Sequence, residues 1–298
     1  MPSERVVYGG QAVMEGVMMR SARSMAVAVR NPSGDIELFT KTLSGPLRGS
    51  IASKPFVRGV VGLVDAFSLG MRSLIYSASV SEGNEADFEG PLESGTILLS
   101  LGIGIGMFFL LPATLAQSGE QWLGLSVGVG NLLEGVIRLA LVVGYIWSIG
   151  FIPDIGRIYG YHGAEHKTIH AFEAKAKLTP DTVARFPREH PRCGTAFLLV
   201  VVVISVLIFS VFGPLPFIWR LGTRLLLLPV LASVAYEYLR LTAKNMHIGI
   251  VRVLVQPTLA LQRLTTRDPD YDMLAVAISA FKAVQEADSK VRDLSING

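Results

Sequence analysis

Four of the five histidines of this chain fall between Tyr161 and Cys193, in YHGAEHKTIHAFEAKA and REHPRCGT. On a helix His162, His166 and His170 recur every fourth residue and share one slowly drifting face, which Glu173 joins one heptad beyond His166. Two histidines so spaced are half of a transition-metal site, because a single ion reaches both ring nitrogens. HGAEH also fits H-x-x-E-H, the inverted zinc-hydrolase pattern, with His162 and His166 holding zinc and Glu165 activating water as general base. The expected cofactor is therefore a divalent transition metal, zinc first. A third ligand is expected from Glu237, since a carboxylate inside an apolar segment is by default functional and would leave one position open for water.

Other readings of the same residues stand beside this one. The histidines and acids could form a hydrogen-bonded polar layer with no ion. His190 and Cys193 could complete a structural zinc site with one of the earlier histidines, or mark a proline-rich turn. Cys193 could be acylated, or act as a nucleophile with His190. A di-iron site of the desaturase type needs more histidines than the five present. Upstream, YGGQAVMEGVMMR reads as a glycine-shaped loop presenting Gln11 and Glu15, or as an irregular lead-in to a hairpin. No G-x-x-x-x-G-K-[ST] occurs, and GIGIG lies within an apolar run, so a nucleotide site is not expected.

The elements that must position these groups belong to a bilayer. Half of the 298 residues are hydrophobic and only 17% are charged, well below the quarter usual in soluble domains. The first residues, MPSERVVYGGQAVMEG, lack the pattern of a signal peptide, so no removed leader is expected. Four stretches approach the roughly 20 apolar residues of a spanning helix, at 94–116, 131–153, 195–219 and 221–241. The loop between the first two has no Lys or Arg, whereas that between the second and third carries Arg157, Lys167, Lys175, Lys177, Arg185, Arg188 and Arg192. The positive-inside rule puts the basic loop and both termini in the cytoplasm, with Arg220 and Arg224 as two contrary charges in an outer turn. The net charge of +3 suits anionic lipid and is too diffuse for nucleic acid, which is not an expected partner.

The fold class expected is an all-α polytopic membrane protein with about four spans, a small N-terminal β-hairpin and amphipathic interfacial helices. Three regions are expected: an interfacial part at 1–93, a membrane domain at 94–241 holding the histidine-rich loop 154–194, and a helical part at 242–298. NPSGD between Met25–Arg30 and Ile36–Thr40 predicts the hairpin. A helix over 55–78 carries Arg58, Asp65 and Arg72 on one stripe. It is expected to lie in the interface plane with that stripe accessible and Val61 and Leu63 shielded, the other reading being a fifth span. RDPDYD starts a final amphipathic helix.

GGQAVMEGVMMR, YHGAEHKTIHAFEA, HPRCGTAFLL and RLTTRDPD, in this order along nearly the whole chain, resemble the YqhQ-like family of bacterial membrane proteins, a family of unknown function described as candidate metal-dependent enzymes. The resemblance implies a multi-pass protein of the bacterial inner membrane with a metal requirement, and it implies no substrate. The leading reading is then a metal-dependent, hydrolytic membrane enzyme working at the cytoplasmic interface on a lipid-linked or peptide substrate. The alternative is a non-catalytic scaffold or assembly factor whose partner is another membrane protein or a second copy of the chain.

Overall fold

A computed structural model describes residues 6–45, 54–90 and 94–297. It opens with an antiparallel meander of four strands, β1 (Gly9–Val13), β2 (Gly16–Arg20), β3 (Ser24–Arg30) and β4 (Ile36–Thr42), paired in sequence order. The hairpin anticipated from NPSGD is β3–β4, with Arg30 opposite Ile36. The glycine-rich segment before it is a second hairpin and not a loop: Val13 pairs with Gly16, and Glu15 takes the turn at φ 47°. Alternation failed to announce these strands because β2, GVMMR, is buried on both faces up to Arg20.

Both faces of the sheet are covered, and the period of two sorts its side chains. Val17, Met19, Ala26 and Ala28 face one core with Tyr161, Ala164 and Ile169 of α5 (Pro153–Glu173) and Leu274, Ala277 and Phe281 of α11 (Tyr271–Asn297). Met18, Met25, Val27 and Val29 face the other with Leu69, Tyr76 and Val80 of α1 (Val57–Ser81) and Phe88. Each fully buried Val, Leu, Met or Phe side chain among these contributes about 1.5–3 kcal/mol, so the sheet is held mainly by the helices on its faces. Small residues at positions 26 and 28 let those helices approach.

Helix α1 corrects one expectation. Its polar stripe faces inward: Arg58 donates to Glu237 at 2.7 and 2.5 Å, Arg20 meets Asp65 at 2.6 Å, and Arg72 donates to the carbonyls of Phe88 and Gly90. Leu63, Val64, Phe67 and Ile75 are exposed instead. Once each charge has a partner, the apolar face is what remains for the surroundings.

Beyond α1, α2 (Ser94–Ile105) runs through a π-helical turn at Gly106–Leu110 into α3 (Leu111–Leu123), and α4 (Val127–Ile149) returns. The third apolar stretch is shorter than expected. α7 (Gly194–Ser210) has 17 residues, about 26 Å at the usual rise. Gly213, Pro214 and Pro216 then separate it from α8 (Phe217–Leu226), which bends by 44° into α9 (Leu228–Lys244). Among the described residues, three helices are long and apolar enough to cross a membrane, α1 among them, or four if α8 and α9 count as one. α6 (Pro180–Val183) lies in the basic segment, and α10 (Gly249–Thr265) leads to α11.

Arg220 and Arg224 are not outer-loop charges. Both are buried in α8, where Arg220 binds Glu120 of α3 at 2.8 Å and Arg224 binds Glu134 of α4 at 2.8 Å. Arg138 completes the knot with Glu134 at 2.7 Å and Ser205 at 2.6 Å.

Candidate metal centre

Helix α5 begins at Pro153, whose missing N–H is harmless in a first turn, and is the central strut of the site. One side packs on the sheet and the opposite side carries His162, His166 and His170. The chain leaves α5, passes α6 and returns through Glu189–Cys193, so the basic segment closes over the histidine face before α7 starts. α10 and the turn after it close the remaining side. Gly163 permits this, since a Cβ there would stand 2.1 Å from the Arg267 carbonyl oxygen. Arg267 also donates its N–H to the Tyr159 carbonyl at 2.8 Å and its guanidinium to the Gly150 carbonyl at 2.5 Å.

The close approach fixes the imidazoles. His162 Nδ1 lies 2.8 Å from the Thr265 carbonyl, and His166 Nδ1 lies 2.6 Å from the Arg188 carbonyl. A carbonyl only accepts, so each Nδ1 carries the proton and each Nε2 keeps its lone pair; the tautomers are assigned from these partners. His162 Nε2 faces Cys193 Sγ at 3.2 Å. The ligand atoms of His162, His166 and Cys193 all lie within 4.8 Å of one another. Two oriented imidazoles and one thiol are a donor set suited to zinc, with the backbone carbonyls as the outer partners that metal-binding histidines ordinarily have.

Glu165 is buried beside this group. It accepts the Gly10 N–H, while its Oε2 has no hydrogen-bond partner among the described residues. Burial pushes its carboxyl up to about 7, against the opposing pull of His162 and of the Gly10 N–H. Gly10 is required for this contact, since a Cβ there would lie 2.5 Å from the Met18 carbonyl oxygen and 3.0 Å from Glu165 Cδ. His162, Glu165, His166, His190 and Cys193 all line one cavity of about 660 Å³, walled otherwise by β1, α1, α9 and the start of α7.

His162, His166 and Glu165 are thus brought together, and Glu237 is not with them. Its carboxylate is held by Arg58 and the Phe56 N–H, although its neighbour Tyr236 lines the cavity. Cys193 occupies the third position beside the two histidines. Cys193 and His190, expected as a pair to join one of the earlier histidines, separate: Cys193 meets His162 and His166, and His190 turns toward His170 and Glu173, which form a second cluster within 4.8 Å. Thr265, Arg188 and Gly10 act through backbone atoms, which leave no side-chain signature. Glu15 accepts from Arg157 and, at 3.2 Å, from Tyr161, clasping the first hairpin onto α5.

A protein family described as "Protein of unknown function (DUF1385)" matches residues 54–287. The "Uncharacterized protein YqhQ" of Bacillus subtilis (strain 168) is 32% identical over 290 residues, covering 92% of this chain and 91% of the relative. No solved structure matches. A family model covering most of the chain, together with that near full-length relative, makes this protein a member of the YqhQ-like family of unknown function.

Proposed function

We propose that the protein is a metal-dependent hydrolase of the bacterial inner membrane, with its metal held at the cytoplasmic face by His162, His166 and Cys193. The observation that carries the reading is the pair of Nδ1–H to carbonyl bonds, at 2.8 and 2.6 Å, which leave both Nε2 lone pairs beside Cys193 Sγ. Support for the orientation comes from the seven basic residues between Arg157 and Arg192 and from the packing of sheet, α5 and α11 into one core. On this reading both termini are cytoplasmic.

A divalent ion bound there supplies Lewis acidity toward a carbonyl oxygen and toward water. Glu165 takes one proton as the water oxygen bonds to the carbonyl carbon of an ester or amide. It returns that proton to the departing oxygen or nitrogen as the old bond breaks, so the acid ends as it began. The apolar surroundings of Glu165 favour the first half of the cycle, because they make its carboxylate a stronger base.

The test is metal analysis of the purified full-length protein together with Glu165→Gln. The expected result is about one zinc per chain in both, with ester or amide hydrolysis lost in the variant. Loss of zinc in Glu165→Gln would make Glu165 a ligand, and a wild type free of metal would overturn the reading. One observation favours a second reading: Cys193 caps α7, accepts the Thr195 N–H at 3.4 Å and sits 3.2 Å from His162 Nε2, an arrangement able to activate a thiol nucleophile. Metal-free protein that is active and is inactivated by iodoacetamide would establish it.

A further inference from the structure

The cavity beside Glu165 opens toward an apolar surface, and this bears on what enters it. Its walls include Tyr8, Ile158, Tyr159 and Ile169, while the ligand atoms and Glu165 occupy one side. Ala66 of α1 both lines the cavity and is exposed, so the mouth reaches the surface there. Leu63 and Phe67, its neighbours on the helix, are 43% and 46% exposed. Across the mouth stands Tyr236 of α9, which a Cβ on Gly62 would touch at 3.7 Å, so a larger side chain at Gly62 would close on it. The cavity floor, Cys193 to Thr195, is where apolar α7 begins. The Arg20–Asp65 pair, with Arg20 in the cavity wall, sets a polar level beside this apolar mouth.

Resting on the hydrolase reading above, we propose that the substrate is lipid-borne: an acyl ester or amide whose hydrocarbon chain enters from the bilayer past Ala66, between α1 and α9. A water-soluble substrate gains nothing from a mouth bordered by outward Leu63 and Phe67, whereas an acyl chain keeps apolar contact throughout its passage. The volume of about 660 Å³ lies within the range of small-ligand sites, about 300–1,000 Å³. An extended peptide added to the free edge of β1 is the competing occupant. That edge is already taken, by Glu165 on the Gly10 N–H and by α1 against Gln11, whose Oε1 lies 2.3 Å from where a Gly70 Cβ would stand.

The experiment uses the full chain in vesicles of phosphatidylethanolamine and phosphatidylglycerol doped with a phosphatidylcholine bearing a diazirine at one acyl terminus. After irradiation, adducts are mapped by mass spectrometry. Adducts are expected on Tyr8, Ile158 or Ile169 inside the cavity as well as on outward Leu63 and Phe67. Ala66→Trp, which plugs the mouth from an exposed position, should lower the inner adducts about fivefold or more and leave the outer ones unchanged. If that variant loses the outer adducts too, it has failed to insert, and Gly62→Leu, which narrows the same gap, decides in its place. Adducts confined to the outer residues, or inner adducts indifferent to the plug, overturn the proposal. Zinc measured on the same samples separates the two readings: inner adducts without zinc retain the lipid route and sink the hydrolase, and zinc without inner adducts does the reverse.

Discussion

Helix α5 carries two clusters of nearly equal composition, one around His162, His166 and Cys193 and one around His170, Glu173 and His190, and they differ in how many oriented lone pairs they offer: His170 also bonds a backbone carbonyl, that of Glu189 at 2.8 Å, but His190 does not. In the first, both histidines spend their Nδ1 protons on carbonyls and turn lone pairs toward the thiol. In the second, His190 Nδ1 accepts the Arg192 N–H at 3.2 Å, which fixes the remaining proton on Nε2. That N–H points toward Glu173 at 3.6 Å, too long for a hydrogen bond, and Arg192 already lies on the same carboxylate. An ion would have to displace a proton and tolerate a guanidinium. Ligand types bring residues to a metal, and the backbone groups behind them decide whether lone pairs are available.

The comparison breaks most visibly at the ligands. His162→Ala and His166→Ala should each cost more than the roughly 10–100-fold in zinc affinity typical of orienting groups, while His170→Ala leaves zinc binding intact. Titration with a competing chelator measures both, and equal losses across the three would erase the distinction between the clusters. A smaller effect is expected one layer out. Gly163→Ala drives a methyl into the Arg267 carbonyl, shifts the Thr265 carbonyl off His162, and should weaken zinc about 10–100-fold without removing a ligand. Unchanged affinity would mean that the Thr265 contact orients nothing.

The second cluster has its own signature, in stability. Burial, the larger influence, holds His190 down at about 4 against the pull of Glu173. Its folded value is depressed below the unfolded value near 6.5, so the unfolded chain binds the extra proton in between. The His190 contribution is therefore full above about 6.5 and is lost as pH falls toward 4. Metal-free protein should show its melting temperature dropping across that window, and His190→Gln should flatten the drop. The smallest effect belongs to Glu173→Gln: its pairing with Arg192 is half-exposed, and such pairs contribute about 0–1 kcal/mol. A loss of several kcal/mol would show that Glu173 holds the cluster together.

Periodicity made the histidine face of α5, the β3–β4 hairpin and α11 legible, because each arises from a local spacing. The pairing of Cys193 with His162, 31 residues apart, depends on how a basic segment doubles back, and no local pattern encodes that. The direction of the α1 stripe was misread because Arg58, Asp65 and Arg72 find partners in α9, β2 and the segment after α1. Amphipathicity divides a helix into two faces without saying which one meets the protein. Arg220 and Arg224 were misplaced for a related reason, since a charge beside proline and glycine resembles a loop until its buried acids are known.

The sheet and its cover also impose an order in time. Val17 and Ala28 are made well before the helix that buries them, with Leu274 and Phe281. At translation speeds of about 5–20 residues per second, the interval between them is on the order of ten seconds or more. During it that face of the strands lacks the cover of α11 while the apolar helices are being made. Thr265, which orients His162, also emerges only near the end. On the metal-centre reading proposed above, the ligand face is therefore completed only after α1 to α9 have been made, and synthesis halted before Thr265 leaves His162 without its orienting carbonyl.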